Sequence, residues 1–275
     1  MTRPAWFWGV GALRRAVGIG ALLALAAFIL GPLATLLVWA FAGTWLFPNL
    51  LPEFSLRWWV YVLTNADVSK AIRMSALSAP TATLLSALVC IPAAYAFARL
   101  EFPGKRVLLL SFLSANAFPK IGLYVSIATL FYRLNLMDTF TGVVLIQLVN
   151  TLLFMIWIPT GTFRGINTNL EEAARDAGAG PLRTFFQITL PIALPGLIVA
   201  ALFAFIAAFD EAQGSLIVGT PNHITMPVLM YALVLGYPQP VGAVFSVLLS
   251  LPSVILLLIT QRYLRAGYLA AGYSL

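Results

Sequence analysis

The chain has 275 residues, of which 61% are hydrophobic and 9% are charged. A soluble domain carries about 25% charged residues, so this composition excludes a soluble globular protein and indicates a membrane protein. The formal net charge of +7 would suggest a nucleic-acid partner in a soluble protein. Here the basic residues lie in short loops between apolar runs, where they set topology, so we expect no nucleic acid.

Six apolar runs predict an all-α membrane protein of about six transmembrane helices, since a span needs about 20 residues. We expect one domain over residues 1–275. The first run could instead be a cleaved signal peptide, but it continues well beyond the small-residue triplet Ala24-Leu25-Ala26, which favours an uncleaved span. The runs fall at about 17–42, 71–98, 107–131, 140–161, 188–213 and 241–263.

The placement of Lys and Arg predicts the orientation of these spans. If the N-terminus is cytoplasmic, most of the basic residues lie inside, and the stretch 214–240 has neither Lys nor Arg. We therefore expect a multi-pass inner-membrane protein with both termini in the cytoplasm. The basic residues then left at or near the outer side are Arg57, Lys70, Arg73 and Arg133.

A short charged segment separates the fourth and fifth runs, and its residue types predict a helix. Asn169 is a candidate N-cap, with Glu172 reaching back to its amide as in a capping box. Gly178 fits the left-handed position that closes a helix, and Pro181 blocks continuation. A helix of about two turns is unstable alone in water, so it must pack against something. On these signals, an ordinary loop helix explains the segment equally well.

The full spacing of this segment favours a more specific interpretation. It reads Glu172-Ala173-Ala174, three residues, Gly178, nine residues, and then Ile188-Thr189-Leu190-Pro191. This pattern resembles the cytoplasmic signature loop of the permease subunits of type I ABC importers, a class that includes maltose, polyamine and phosphonate systems. The motif covers about 20 residues. The six-span layout and the loop position extend the similarity over most of the chain.

The resemblance implies that residues near 167–180, in a loop of about 164–187, form a coupling helix that docks into an ATP-binding subunit. Glu172 and Gly178 are the leading implied contacts, and Ala173 and Ala174 fit the wall of the groove. This chain has Asp-Ala-Gly where many relatives have Asp-Gly-Ala, so the position of the glycine is the one departure. The other implied coupling positions are Asp176, Leu190 and Pro191.

The resemblance also implies a set of partners. These are a dimer of ATP-binding subunits, a second permease subunit, an external solute-binding protein and the lipid membrane. A heterodimer of permeases is favoured over a pair of identical chains. ATP and Mg would bind the ATPase, and we expect no cofactor on this chain.

Sequence signals for catalysis are lacking. No G-x-x-x-x-G-K-[ST] run occurs, so the chain has no P-loop, and we expect no enzymatic activity. The single cysteine, Cys90, excludes a disulfide framework. The single histidine, His223, has no Cys or carboxylate at metal-ligand spacing, and we expect it to be solvated in its polar loop.

Three ionisable residues lie within the predicted spans, Lys120 in the third and Asp210 and Glu211 late in the fifth. Such residues are costly in a membrane and face a cavity or a partner. Three interpretations stay open: Lys120 pairs with Asp210 or Glu211, Lys120 faces a water-filled portion without binding anything, or these residues line a translocation path, to which Asn150 would add a polar group. The carboxylates would favour a cation such as a polyamine or thiamine, whereas Lys120 would favour a carboxylate or phosphonate.

The function predicted is that of an inner-membrane permease subunit of an ABC importer. It would form half of the path for a small polar solute of polyamine, opine, phosphonate or thiamine type, with a sugar-type importer as the alternative. A stand-alone secondary carrier would usually show two related halves, which this sequence lacks. A membrane-embedded enzyme should show clustered His or carboxylates facing one cavity.

Overall fold

A computed structural model describes residues 6–45, 48–117 and 119–271. Within them the chain is helical apart from turns, loops and one isolated bridge between Ala42 and Phe54, which confirms the all-α prediction. One π-helical turn spans Phe185–Thr189. The helices are α1 (Trp6–Ala40), α2 (Arg57–Thr64), α3 (Ala66–Arg99), α4 (Lys105–Ala117), α5 (Lys120–Arg133), α6 (Phe140–Gly165), α7 (Thr168–Asp176), α8 (Pro181–Thr184), α9 (Leu190–Phe209), α10 (Gln213–Gly219), α11 (Met226–Gly236) and α12 (Gln239–Ala271).

Five of the six predicted spans have a counterpart among the described residues that is long and apolar enough to cross a membrane. The third run instead forms two shorter helices, α4 of 13 residues and α5 of 14, which meet beside Pro119. Proline has no backbone N–H, so a helix running through this position would lose one hydrogen bond. The count of six therefore stays a prediction, as do the cytoplasmic termini, whose end residues lie outside the described part. The candidate spans are Val17–Ala40, Ala66–Arg99, Phe140–Gly165, Pro181–Phe209 and Gln239–Gln261.

The chain divides into two compact units, and the larger one comprises residues 65–232 together with the chain from 249 onward. Its centre is formed by α3, α6 and α9, which pack against one another. Small residues allow this close approach: at Gly196 of α9, a Cβ atom would collide with the Thr162 side chain of α6. The prediction of a single domain is not tested by this division. One hydrophobic cluster of this unit contains Cys90, Phe97, Leu109, Met155, Ile156, Ala200 and Ala204.

The smaller unit comprises the chain up to Thr64 and residues 233–248. Its long helix α1 is exposed over most of the apolar stretch from Val17, and none of its most apolar window is buried. After α1 the chain turns sharply, since the Gly43 amide donates to the Glu53 carbonyl at 2.6 Å. Aromatic side chains hold this turn, and the Trp58 indole N–H donates to the Gly43 carbonyl at 3.3 Å.

Candidate coupling helix and polar cavity

The charged segment forms helix α7, but the predicted N-cap is wrong. Asn167 is the cap: its backbone is extended, and its side chain accepts a hydrogen bond from the Asn169 amide at 3.0 Å. Asn169 lies inside the helix and cannot act as its cap, so the predicted capping box with Glu172 does not form. The helix of nine residues has the expected length of about two turns.

The C-terminal end of α7 has the predicted left-handed glycine. Gly178 has a φ of +87°. Its amide donates to the Arg175 carbonyl at 2.8 Å, and the Ala179 amide donates to the Ala174 carbonyl at 2.9 Å. This pair of bonds is a Schellman motif, which satisfies the last carbonyls of the helix and requires a residue at positive φ.

Most of the positions implied to contact an ATPase lie on the outside of the chain. Glu172, Ala173, Asp176 and Gly178 are exposed, and Ala174 is half-buried. Leu190 and Pro191 begin α9, where Leu190 packs against the cluster around Phe163 and Pro191 is exposed. The structure thus leaves the α7 surface free to contact another molecule, and the coupling role stays a prediction.

The residue that fixes α7 to the membrane helices is Glu171, which the sequence analysis did not select. Its side chain is 3% exposed. One carboxylate oxygen accepts hydrogen bonds from Arg99 Nε at 3.1 Å, from Arg99 Nη2 at 2.9 Å and from Thr189 Oγ1 at 2.9 Å. Arg99 ends α3 and Thr189 precedes α9, so this group, the Glu171 anchor, ties α7 to both helices.

Arg99 also donates to the Ile166 carbonyl at 3.0 Å, at the end of α6. The anchor therefore joins α3, α6, α7 and the start of α9 through one buried ion pair. Charge-assisted hydrogen bonds of this kind are about twice as strong as neutral ones. This is the packing that a helix as short as α7 needs to remain folded.

A second group of polar side chains lines a cavity of about 400 Å³ in the larger unit. The four residues predicted for a translocation path all line it. The sequence analysis did not include the aromatic residues of this polar cavity. Its lining consists of Lys120, Tyr124, Asn150, Phe154, Ala207, Asp210, Glu211, Ala212, Gln213 and Tyr231.

Lys120 bonds to a neutral residue and not to an acidic one. Its Nζ donates to Asn150 Oδ1 at 3.2 Å, and Asn150 Nδ2 donates to the Tyr124 hydroxyl at 2.7 Å. Across the described ranges no ion pair joins Lys120 to Asp210 or Glu211. The interpretation in which these charges neutralise one another by direct pairing is therefore wrong.

The two carboxylates of the cavity differ in their availability. Glu211 is 5% exposed and accepts from the Gly214 amide at 2.6 Å, the Ser215 amide at 2.7 Å and the Ser215 hydroxyl at 2.6 Å. It therefore satisfies the first amides of α10, which an N-cap side chain usually does. Asp210 is exposed, and among the described residues its side chain has no hydrogen-bond or ion-pair partner.

His223 has a carboxylate neighbour that its sequence context did not reveal. Its Nδ1 lies 3.2 Å from Asp138 Oδ1, and the Asn222 amide donates to the same oxygen at 2.9 Å. The Asn222 backbone N–H holds the pKa of Asp138 below its usual range. The expectation of a merely solvated histidine is therefore wrong. Among the described residues, no group of three or more potential ligands could hold a metal ion.

Comparisons with known proteins agree with this architecture. Residues 16–269 match the family described as binding-protein-dependent transport system inner membrane component. The chain is 33% identical over 190 residues, 67% of its own length and 69% of the relative's, to the trehalose transport system permease protein SugB of Mycobacterium tuberculosis. It is 32% identical over 229 residues, 80% of its length and 73% of the relative's, to the maltose/maltodextrin transport system permease protein MalG of Escherichia coli.

Solved structures show the same fold. One chain in the crystal structure of a bacterial ABC transporter that imports the acidic polysaccharide alginate superposes with a TM-score of 0.71. The superposition covers 96% of this chain and 99% of that one, at 18% sequence identity. At this identity the likeness concerns the fold alone.

Proposed function

Because the chain belongs to the binding-protein-dependent inner membrane components, and is therefore an inner-membrane permease of an ABC importer, we propose that its polar cavity lines the path of a carbohydrate. Its role is transport and not catalysis. The named relatives handle trehalose and maltose, which supports the sugar alternative. Nothing in these comparisons supports a solute of polyamine, opine, phosphonate or thiamine type.

The observation that carries the proposal is the hydrogen bonding of Glu211. All three of these bonds go to α10, so both carboxylate oxygens are held by the chain itself and a cationic solute would have to compete with these donors. The remaining charges, Lys120 and Asp210, are opposite in sign. The lining as a whole carries one cation and two carboxylates, which disfavours a phosphonate, and the bonds of Glu211 to α10 leave a polyamine only one free carboxylate, so a neutral solute fits better.

The rest of the lining offers the two kinds of contact that a sugar requires. Asn150, Gln213 and Lys120 carry hydrogen-bonding groups for hydroxyls, and Phe154 and Tyr231 supply aromatic surface for C–H faces. Ligand sites of this type combine apolar walls with a few polar groups that set orientation.

We further propose that α7 docks on an ATP-binding subunit through its exposed residues, which include Glu172 and Gly178. The Glu171 anchor would pass the movement of α7 to α3 and α9. A dimer of ATPases, a solute-binding protein and a second, different permease would complete the importer, with both termini of this chain in the cytoplasm. ATP and Mg would then act on the ATPase and not on this chain.

Uptake of radiolabelled maltose, trehalose and putrescine by cells that express the complete transporter tests the carbohydrate proposal. Tyr231→Ala should lower uptake of a sugar severalfold with unchanged membrane insertion. The matched control is Tyr132→Ala, because Tyr132 is exposed and lies outside the cavity. Uptake of putrescine but not of either sugar, sensitive to Tyr231→Ala, would refute the carbohydrate assignment.

Co-purification tests the docking proposal separately. Glu172→Lys reverses a charge on the exposed face of α7 without touching the Glu171 anchor, so it should reduce recovery of the ATPase while the chain still inserts. Asp67→Lys is the matched control, since Asp67 is also exposed but lies in the first turn of α3, at the end opposite to the Glu171 anchor. Equal ATPase recovery with Glu172→Lys and with the unaltered chain would overturn the role of α7.

A further inference from the structure

A second cavity, of about 650 Å³, lies between the α3–α4 turn, α4 and the last turns of α6. It is separate from the polar cavity and shares none of its lining residues. Neither the carbohydrate proposal nor the docking proposal assigns it a role. Its lining, which we call the basic pocket, comprises Glu101, Phe102, Gly104, Lys105, Arg106, Val107, Leu109, Leu110, Trp157 and Arg164.

The charges of the basic pocket favour an anion. Three cations and one carboxylate line it, and Lys105 is already bonded to that carboxylate, on Glu101, at 2.8 Å. Arg164 donates to the Phe97 carbonyl at 3.4 Å, a long bond. Arg106 is exposed and has no ion-pair partner in the part of the chain described. The N-terminus of α4 begins in the same place and adds its partial positive charge.

The walls of the basic pocket are apolar and continue into an exposed apolar surface of α4. Val107 is 71% exposed and Leu110 is 50% exposed, although both lie on a helix in an apolar run. Trp157 closes the pocket from the α6 side. A small soluble anion would leave these walls uncovered, whereas a molecule with both an anionic head and a hydrocarbon chain would cover them.

We propose that the basic pocket binds an anionic phospholipid, with its phosphate at Arg106 and Arg164 and its acyl chain along Val107, Leu110 and Trp157. The pocket lies at the ends of α3 and α6, which join through Arg99 and Ile166. Basic pockets between membrane helices are known to select anionic headgroups, and each nearby Lys or Arg strengthens the interaction about fivefold. The lipid would bridge the α3–α4 turn to α6, beside the Glu171 anchor.

The test uses the full chain in nanodiscs of phosphatidylcholine with a minor fraction of phosphatidylglycerol. Native mass spectrometry measures how much phosphatidylglycerol stays bound relative to phosphatidylcholine. Arg106→Gln should weaken this preference about fivefold, and Arg106→Lys should retain most of it. The matched control is Arg133→Gln, which removes an exposed charge at the far end of α5 and should change nothing.

A second variant tests the apolar wall with every charge in place. Leu110→Trp fills the exposed side of the pocket and should reduce bound phosphatidylglycerol, a result that an anion bound by charge alone would not give. Equal lipid preference in Arg106→Gln and Arg133→Gln would overturn the proposal. The proposal would also be overturned if Arg106→Gln reduced recovery of the ATPase on co-purification and left lipid binding unchanged. The pocket would then be a contact with a protein.

Discussion

Replacement of Glu171 by alanine should release α7 from the membrane helices. The change removes an acceptor of four hydrogen bonds, from Arg99 Nε and Nη2, Thr189 and Tyr95, and leaves Arg99, whose side chain is 11% exposed, without its counter-charge. Removing one partner of a buried ion pair costs about 3–5 kcal/mol. Arg99 keeps its bond to the Ile166 carbonyl and part of its contact with water, so we expect about 3 kcal/mol, the lower end of that range.

Hydrogen exchange of the α7 amides, measured by mass spectrometry on the chain in nanodiscs, reports this free energy directly. A loss of about 3 kcal/mol corresponds to exchange about a hundredfold faster wherever α7 opens locally. Glu172→Ala is the matched control, because the neighbouring glutamate is exposed and makes no such bonds. Surface substitutions change stability by about 0.5 kcal/mol or less, so the control should accelerate exchange about twofold at most.

A double variant distinguishes loss of the pair from general damage. Arg99→Met with Glu171→Met replaces both charges by apolar groups and should recover much of the protection that Glu171→Ala loses, since no charge is left buried alone. Equal exchange rates in Glu171→Ala and Glu172→Ala would refute the reasoning. Such a result would mean that α7 is held by its other contacts.

Two further predictions concern loops. Gly178→Ala should destabilise the end of α7 by about 1 kcal/mol, because a φ of +87° disfavours any residue with a side chain. No neighbouring atom crowds the position, so the effect comes from the backbone alone. The control Gly180→Ala, at negative φ, should show no such effect in the same exchange measurement. Because the pKa of Asp138 is lowered, its bond to the Asn222 amide should persist from neutral pH down to about 4 and weaken only as pH falls further through the lowered pKa. Asp138→Asn should abolish this pH dependence of amide exchange, corrected for intrinsic rates, and a transition near neutral pH would contradict the assignment.

The sequence predicted α7 well at its C-terminal end and poorly at its N-terminal end, for a physical reason. A left-handed turn admits few residues, so Gly178 before Pro181 is a strong local signal. The N-terminal end has two asparagines, Asn167 and Asn169, and either could cap the helix by residue type. The choice is made by where α6 ends, which depends on tertiary packing.

The same limit explains why Glu171 was missed. Glu171 and Glu172 are adjacent and identical, and only the direction of Arg99 and Thr189 in space makes one of them buried. These partners lie 72 and 18 residues away in sequence. A basic residue at the end of the second apolar run was visible, but no local pattern indicates which glutamate it contacts.

The polar cavity shows what residue type alone does predict. Charged residues in apolar runs indicated a lined space, and Lys120, Asn150, Asp210 and Glu211 do line one cavity. Their pairing could not be predicted, because Glu211 satisfies backbone amides of a helix that begins two residues after it. The local chain thus fixes the orientation of a carboxylate whose presence in the cavity, but not its bonding, could be predicted from the sequence.

Helix α9 connects the Glu171 anchor to the polar cavity. It begins after Thr189, which contacts the Glu171 anchor, and ends at Phe209, directly before Asp210 of the polar cavity. A helix of 20 residues spans about 30 Å, so we propose that α9 carries a shift at α7 to the cavity. We therefore expect spin labels at the exposed positions Leu182 and Asp210 to change their distances to a reference label at the exposed Leu258 of α12 together when the importer binds ATP. A shift at Leu182 with Asp210 stationary would break this link and leave α3 as the route from the anchor.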